Sequence, residues 1–179
     1  MINVDANELQ KLYIAYFGRP GDPSGINYWL SRSNQSLDLT EISNELSRQD
    51  EYTSHDKSFD FKINKLYFNL YNRKADFGGL NYWMKMTSSK EYKISDIVYE
   101  LVFSSNKPYS LDVEQEEKDN NTLQNKIFAA ELFTRQISKS ITLINLYKPD
   151  SISPWISGNT FIRVSNFFNH INDKKVSID

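Results

Sequence analysis

Five residue types recur in one order at two places in this chain: Arg19, Asp22, Gly25, Tyr28 and Trp29, then Arg73, Asp76, Gly79, Tyr82 and Trp83. A guanidinium three residues ahead of a carboxylate can make a charge-assisted hydrogen bond that pins a turn, and the aspartate can cap the helix that follows. The same groups also suit recognition. A polyhydroxylated ligand lays its C–H faces on aromatic rings and hydrogen-bonds to planar charged groups. Arg19, Asp22, Tyr28, Arg73, Asp76 and Tyr82 are therefore the candidate ligand-binding residues. The helical periodicity around Trp29 and Trp83 places both indoles in the core.

Other chemistry finds little support. His55 and His170 lie far apart, with no nucleophile and carboxylate at a recognisable spacing. There is no cysteine, which excludes disulfides, thiolate metal sites and a cysteine nucleophile. Neither DPSGINYW nor DFGGLNYW supplies the alternating oxygens and terminal glutamate of an EF-hand. The acidic run Asp112, Glu114, Glu116, Glu117 and Asp119 reads as a solvated face. No Gly-rich phosphate loop occurs. The expectation is a protein without metal or cofactor that is not an enzyme; a glycan-active site is the one catalytic version worth testing.

With 21 basic and 23 acidic residues interspersed, the net charge of −2 leaves no basic stripe to displace counterions, so nucleic acid is not an expected partner. No apolar run approaches the roughly 20 residues needed to span a bilayer. The opening MINVDANELQ lacks a basic n-region and an apolar h-region, so export would rest on a signal elsewhere.

The candidate residues sit in a longer repeat. LYIAYFGRPGDPSGINYW at 12–29 returns as LYFNLYNRKADFGGLNYW at 66–83. Leu9, Leu12, Tyr13, Tyr16 and Phe17 are spaced for one stripe of a helix, as are Ile63, Leu66, Tyr67, Leu70 and Tyr71. Asp5 or Asn7 can cap the first of these helices, and Asp60 supplies an acidic N-terminal residue to the second. Asp22-Pro23 and Asp76 then mark the start of a second helix in each copy, carrying Ile26, Trp29 and Leu30 or Leu80, Trp83 and Met84. Gly25 and Gly79 fall in its first turn, where glycine costs about 1 kcal/mol relative to alanine. Close approach of another backbone is the simplest reason; room for a ligand is the other.

A third helix follows in each copy, through Ile42 and Leu46 behind a capping box of Asp38 and Glu41, and through Ile97, Val98, Leu101 and Val102 behind Ser95. Few glycines and prolines argue against a hairpin-rich sandwich. The fold expected is an all-α bundle of two three-helix repeats of about 54 residues, spanning about 5–55 and about 59–108. Residues 106–121 read as an acidic linker or loop. Over 122–179, a helix with Leu123, Ile127, Ala130, Phe133 and Ile137 inward, and Lys126 and Glu131 free to face water, is followed by a Ser153-Pro154 start. A last helix carries Phe161, Val164, Phe168 and Ile171, and these C-terminal helices would cap the repeats.

The pattern Leu12, Tyr13, Gly18, Arg19, Asp22, Pro23, Gly25, Tyr28 and Trp29 resembles the signature of the bacterial family called domain of unknown function 4214. The second copy keeps Leu66, Tyr67, Arg73, Asp76, Gly79, Tyr82 and Trp83 but has Asn72 for glycine and Phe77 for proline. NKIFAAELFT at 125–134 is similar to the segment that often follows such repeats. The three-helix pattern also resembles phycobilisome linker domains. The resemblance implies a helical module of secreted or surface-layer proteins and a cell-surface location. It further implies attachment to surface polysaccharide such as lipopolysaccharide O-antigen, in an anchoring or adhesin role. The alternative is a protein–protein module that assembles with other copies of itself or with another subunit.

Overall fold

A computed structural model of the chain describes residues 4–53, 58–88, 92–104, 112–147 and 164–174, and these are helical with no strand among them. The first repeat holds α1 (Ala6–Phe17), α2 (Pro23–Gln35), α3 (Leu39–Leu46) and a single turn, α4 (Asp50–Thr53). The second holds α5 (Phe59–Tyr71), α6 (Phe77–Ser88) and α7 (Ile94–Phe103). Then come α8 (Val113–Ile137), α9 (Ile141–Tyr147) and a helical turn at 164–168.

The helix starts follow from their side chains. Asp5 accepts from the Glu8 amide while Glu8 reaches back to the Asp5 amide, and Asp38 and Glu41 do the same for α3, so two otherwise orphaned donors are satisfied at each end. Asp22 opens α2, with Pro23 at the first helical position. The start of α7 differs from expectation. Ser95 lies inside the helix, buried, donating to Asn44 Oδ1, and Asp96 satisfies the Lys93 amide instead.

Like helices meet like helices between the repeats: α1 packs on α5 and α3 on α7. The repeats thus meet through matching helices. Leu9, Leu12, Ile42, Leu46, Ile63, Leu66, Leu70 and Ile97 are each 0% exposed in the core that these helices share, and a side chain of this kind contributes about 1.5–3 kcal/mol on burial. Trp29 and Trp83 join the same core. The third layer is α8, which lies across both α1 and α5 and buries Leu123, Ile127, Ala130 and Ile137, with Phe133 partly covered.

Two readings of the C-terminal third need correcting. The stretch 106–121 is not all linker, because α8 already begins at Val113, with Asp112 accepting from the Gln115 amide; residues 105–111 lie outside the described part. Glu114 and Glu116 occupy the first turn, where the helix dipole favours negative charge, so an acidic run is here a helix start rather than a loop. Lys126 does not face water. It is 0% exposed, enclosed between α8 and the end of α5, whereas Glu131 is exposed as expected. Phe161 and the Ser153-Pro154 start fall outside the described residues. Val164 and Phe168 are buried on the last helical turn, and Ile171 is buried just beyond it.

Candidate functional site

Each repeat turns a corner between its first two helices, and the candidate residues are at those corners. α1 ends on Gly18 in the left-handed region, φ 65°, where a Cβ would also stand 2.7 Å from the Asn69 side-chain oxygen. Arg19 follows, 2% exposed. Its Nε and Nη2 donate to the two carboxylate oxygens of Glu51 at 2.7 Å each, and its Nη1 donates to the Pro20 carbonyl at 2.8 Å. The guanidinium carbon lies 5.4 Å from the ring centroids of both Tyr13 and Phe17.

Asp22, the expected hydrogen-bond partner of Arg19, is 3.8 Å away, beyond hydrogen-bond reach. Its carboxylate instead accepts from the Gly25 amide at 2.9 Å and the Ser24 hydroxyl at 2.7 Å. The corner is thus a bidentate Arg19–Glu51 clamp beside a separate Asp22 cap, with α4 supplying the carboxylate.

The second corner repeats the device with a different donor of charge. α5 ends on Asn72 at φ 59°, a conformation asparagine tolerates. Arg73 donates through Nε and Nη2 to the two oxygens of Asp119 at 2.9 and 2.5 Å, lies 4.0 Å from Asp76, and stacks over Tyr67. Burial opposes the Arg73 charge, but the Asp119 carboxylate outweighs it and holds the guanidinium above its ordinary value. Residues 105 and 106, which match Glu51 at the repeat offsets, are serine and asparagine. The missing carboxylate comes from α8.

The two first-turn glycines have a side-chain cause. A Cβ at Gly25 would lie 2.2 Å from the Tyr13 hydroxyl, and one at Gly79 would lie 3.1 Å from the Tyr67 hydroxyl. The neighbour expected to be a backbone is therefore a buried tyrosine that slots its oxygen against the helix start. In the second repeat that oxygen is tied to the core indole. Trp83 Nε1 donates to the Tyr67 hydroxyl at 3.1 Å. Burial pushes the Tyr67 phenol up to about 12 and raises Tyr13 further, so both stay neutral.

A second amide device is shared by the corners. Gln10 Oε1 accepts from the Gly21 amide at 2.8 Å, and Asn64 Oδ1 accepts from the Ala75 amide at 3.1 Å.

The first corner opens into a cleft. It encloses about 590 Å³ and is lined by Arg19, Asp22 and Tyr28 together with Ser24, Gln49 and Asp50. Tyr28 is 54% exposed, its ring edge-on to Trp29 with centroids 4.8 Å apart. None of Arg73, Asp76 and Tyr82 lines this cleft. Tyr82 is half-buried edge-on to Trp83, and Tyr92 stacks over the same indole while donating to Glu100. Burial, followed by the Glu100 charge, raises the Tyr82 phenol. The first set of candidates converges on one cleft; the second set lies outside it.

Sequence reasoning missed Glu51, Asp119, Tyr13 and Lys126. Tyr13 and Tyr67 could have been found, since both stand twelve residues before their glycines. No protein-family model, curated protein or solved structure matches this chain.

Proposed function

We propose that this protein is a non-catalytic binding module that anchors an exported protein at the bacterial cell surface by gripping surface polysaccharide, of which lipopolysaccharide O-antigen is the kind expected. The observation that carries this reading is Tyr28. An amphipathic ring stands more than half exposed at the wall of a 590 Å³ cleft, a size usual for small-ligand sites, beside hydroxyl, amide and carboxylate groups of Ser24, Gln49 and Asp50. That pairing of a ring with short polar groups suits a sugar.

The other carboxylates of the cleft are committed to structure. Glu51 is held by Arg19, and Asp22 by the start of α2, so neither is poised as a general acid or base. The signature shared with the family called domain of unknown function 4214 supports a secreted, surface-layer setting. The test is a glycan array and a lipopolysaccharide pull-down with the full chain and with Tyr28→Ala. Retention by the parent chain and loss in the variant support the reading; equal retention, or none on any surface glycan, removes it.

A further inference from the structure

We propose that the aromatic face of the second repeat, formed by Phe61, Phe68 and Phe77, is a docking surface for a second copy of this chain, which seats its α9 there. The internal duplication says what such a face needs. In the first repeat the matching face is covered by the C-terminal half of α8: Asn7 donates to Glu131 at 3.0 Å, Gln10 to Thr134 at 2.8 Å, and Thr134 to the Gly21 carbonyl at 2.7 Å. Ile14 and Pro23 on that side are buried.

Moving each position by the repeat length gives Phe61, Asn64, Ala75, Phe68 and Phe77 on the second repeat. The backbone frame is the same, because Asn64 holds the Ala75 amide as Gln10 holds that of Gly21. No helix covers it. Phe61 is 47% exposed, Phe68 37% and Phe77 84%, and Asn64 turns its amide back to Asp60 of its own helix instead of across to a partner. Exposed rings on a duplicated helix-binding face, one of them with the Lys65 ammonium 5.9 Å from its centroid, mark an interaction site.

The same chain carries an exposed apolar helix edge. α9 follows directly from the end of α8, the segment that covers the first repeat, and leaves Ile141 71% and Leu143 43% exposed. The rings and the α9 edge are open at once in one chain, so neither covers the other. Two copies can cover both by exchange, each giving its α9 to the other's rings, which closes as a two-fold dimer. Charge does not oppose it: ITLINLY has no charged residue, and the net charge of −2 is small. Thr142 and Asn145 of α9 bring the kind of polar group with which Thr134 meets the Gly21 carbonyl.

Sedimentation equilibrium of the full chain over a range of concentrations tests the assembly, and cross-linking tests its geometry. A reversible monomer–dimer equilibrium is expected, with Phe77→Asp and Ile141→Asp each weakening it at least about tenfold while the thermal melt of the monomer is unchanged, both side chains being exposed. The chain has no native cysteine. Mixing a Phe77→Cys chain with an Ile141→Cys chain is therefore expected to give an oxidised dimer that joins the two. A chain that stays monomeric at millimolar concentration overturns the proposal, as does association that ignores both aspartate variants. Cross-linking of Phe77→Cys to itself but not to Ile141→Cys would place the rings against each other and overturn the assignment of α9.

Discussion

Lys126 of α8 donates to the backbone carbonyl of Asn69 at 2.5 Å, and Asn69 in turn donates through its side chain to the carbonyl of Ala15 at 2.8 Å. Ala15 and Asn69 occupy the same position in the two repeats, so one carbonyl near the end of each first helix is capped by the next element along: α5 caps α1, and α8 caps α5. Lys126 also donates to Asn72 Oδ1 at 2.6 Å. A cation at a helix C-terminus is favoured by the dipole, but here it is taken out of water to get there.

That burial sets a pH dependence. Desolvation, with a smaller push from Lys65, takes the Lys126 ammonium from its ordinary 10.5 down to about 7. Between these values the unfolded chain binds a proton that the folded chain does not, so stability rises as pH increases from about 7. Near pH 10 the trend reverses, because burial raises Tyr13, Tyr16 and Tyr67 and their phenols ionise more readily when unfolded. Urea melts between pH 7 and 9.5 are expected to gain on the order of 3 kcal/mol. Lys126→Met should flatten that rise whatever it does to stability at neutral pH; a rise that persists in the variant would contradict the assignment.

The first corner clamp is more buried than the second. Arg19 and Glu51 side chains are 3% and 17% exposed, against 25% and 9% for Arg73 and Asp119. Removing one member of a buried pair strands the other charge, so Arg19→Ala is expected to lose about 3–5 kcal/mol in denaturant melts, and Arg73→Ala less. Lysine should not rescue Arg19, since it cannot span both oxygens of Glu51. A Arg19→Lys variant as stable as the parent would refute the bidentate role.

Glycine 25 separates cause from coincidence. Gly25→Ala drives a Cβ into the Tyr13 hydroxyl and should lose about 1–3 kcal/mol despite the better helix propensity. Gly79→Ala, with 3.1 Å to Tyr67, should change stability by less than about 1 kcal/mol. In the double variant with Tyr13→Phe, which removes the nearest obstructing atom and leaves Asp22 Oδ1 at 2.9 Å, part of the Gly25→Ala loss should return. A double-mutant cycle with no coupling would show that the hydroxyl is not the obstacle.

The local half of this architecture was legible in the sequence, and the tertiary half was not. Helical spacing gave both stripes, the aspartate caps and the buried indoles, because those depend on neighbours three or four residues away. Asp22 and Asp76 read as partners of the arginines, yet their carboxylates were already engaged in capping. Glu51 and Asp119 stand 32 and 46 residues from the arginines they hold, and one belongs to the repeat while the other does not. No pattern within a repeat could point to Asp119. Lys126 read as a surface residue because it is charged. Yet it stands three residues after Leu123 and four before Ala130, on the apolar stripe of α8, and the placement of α5 against that helix encloses it.

The claim on which the functional account rests is that Tyr28 and its cleft are the surface that meets ligand. Trp29, buried against the Tyr28 ring, reports on that cleft, so intrinsic fluorescence titration of the full chain with purified lipopolysaccharide O-antigen measures it directly. The account predicts a saturable change in the parent chain, weakened at least about tenfold in Tyr28→Ala with the thermal melt intact, and no shortening of the polysaccharide. Equal titrations for the two chains, or polysaccharide that is cut, would contradict it.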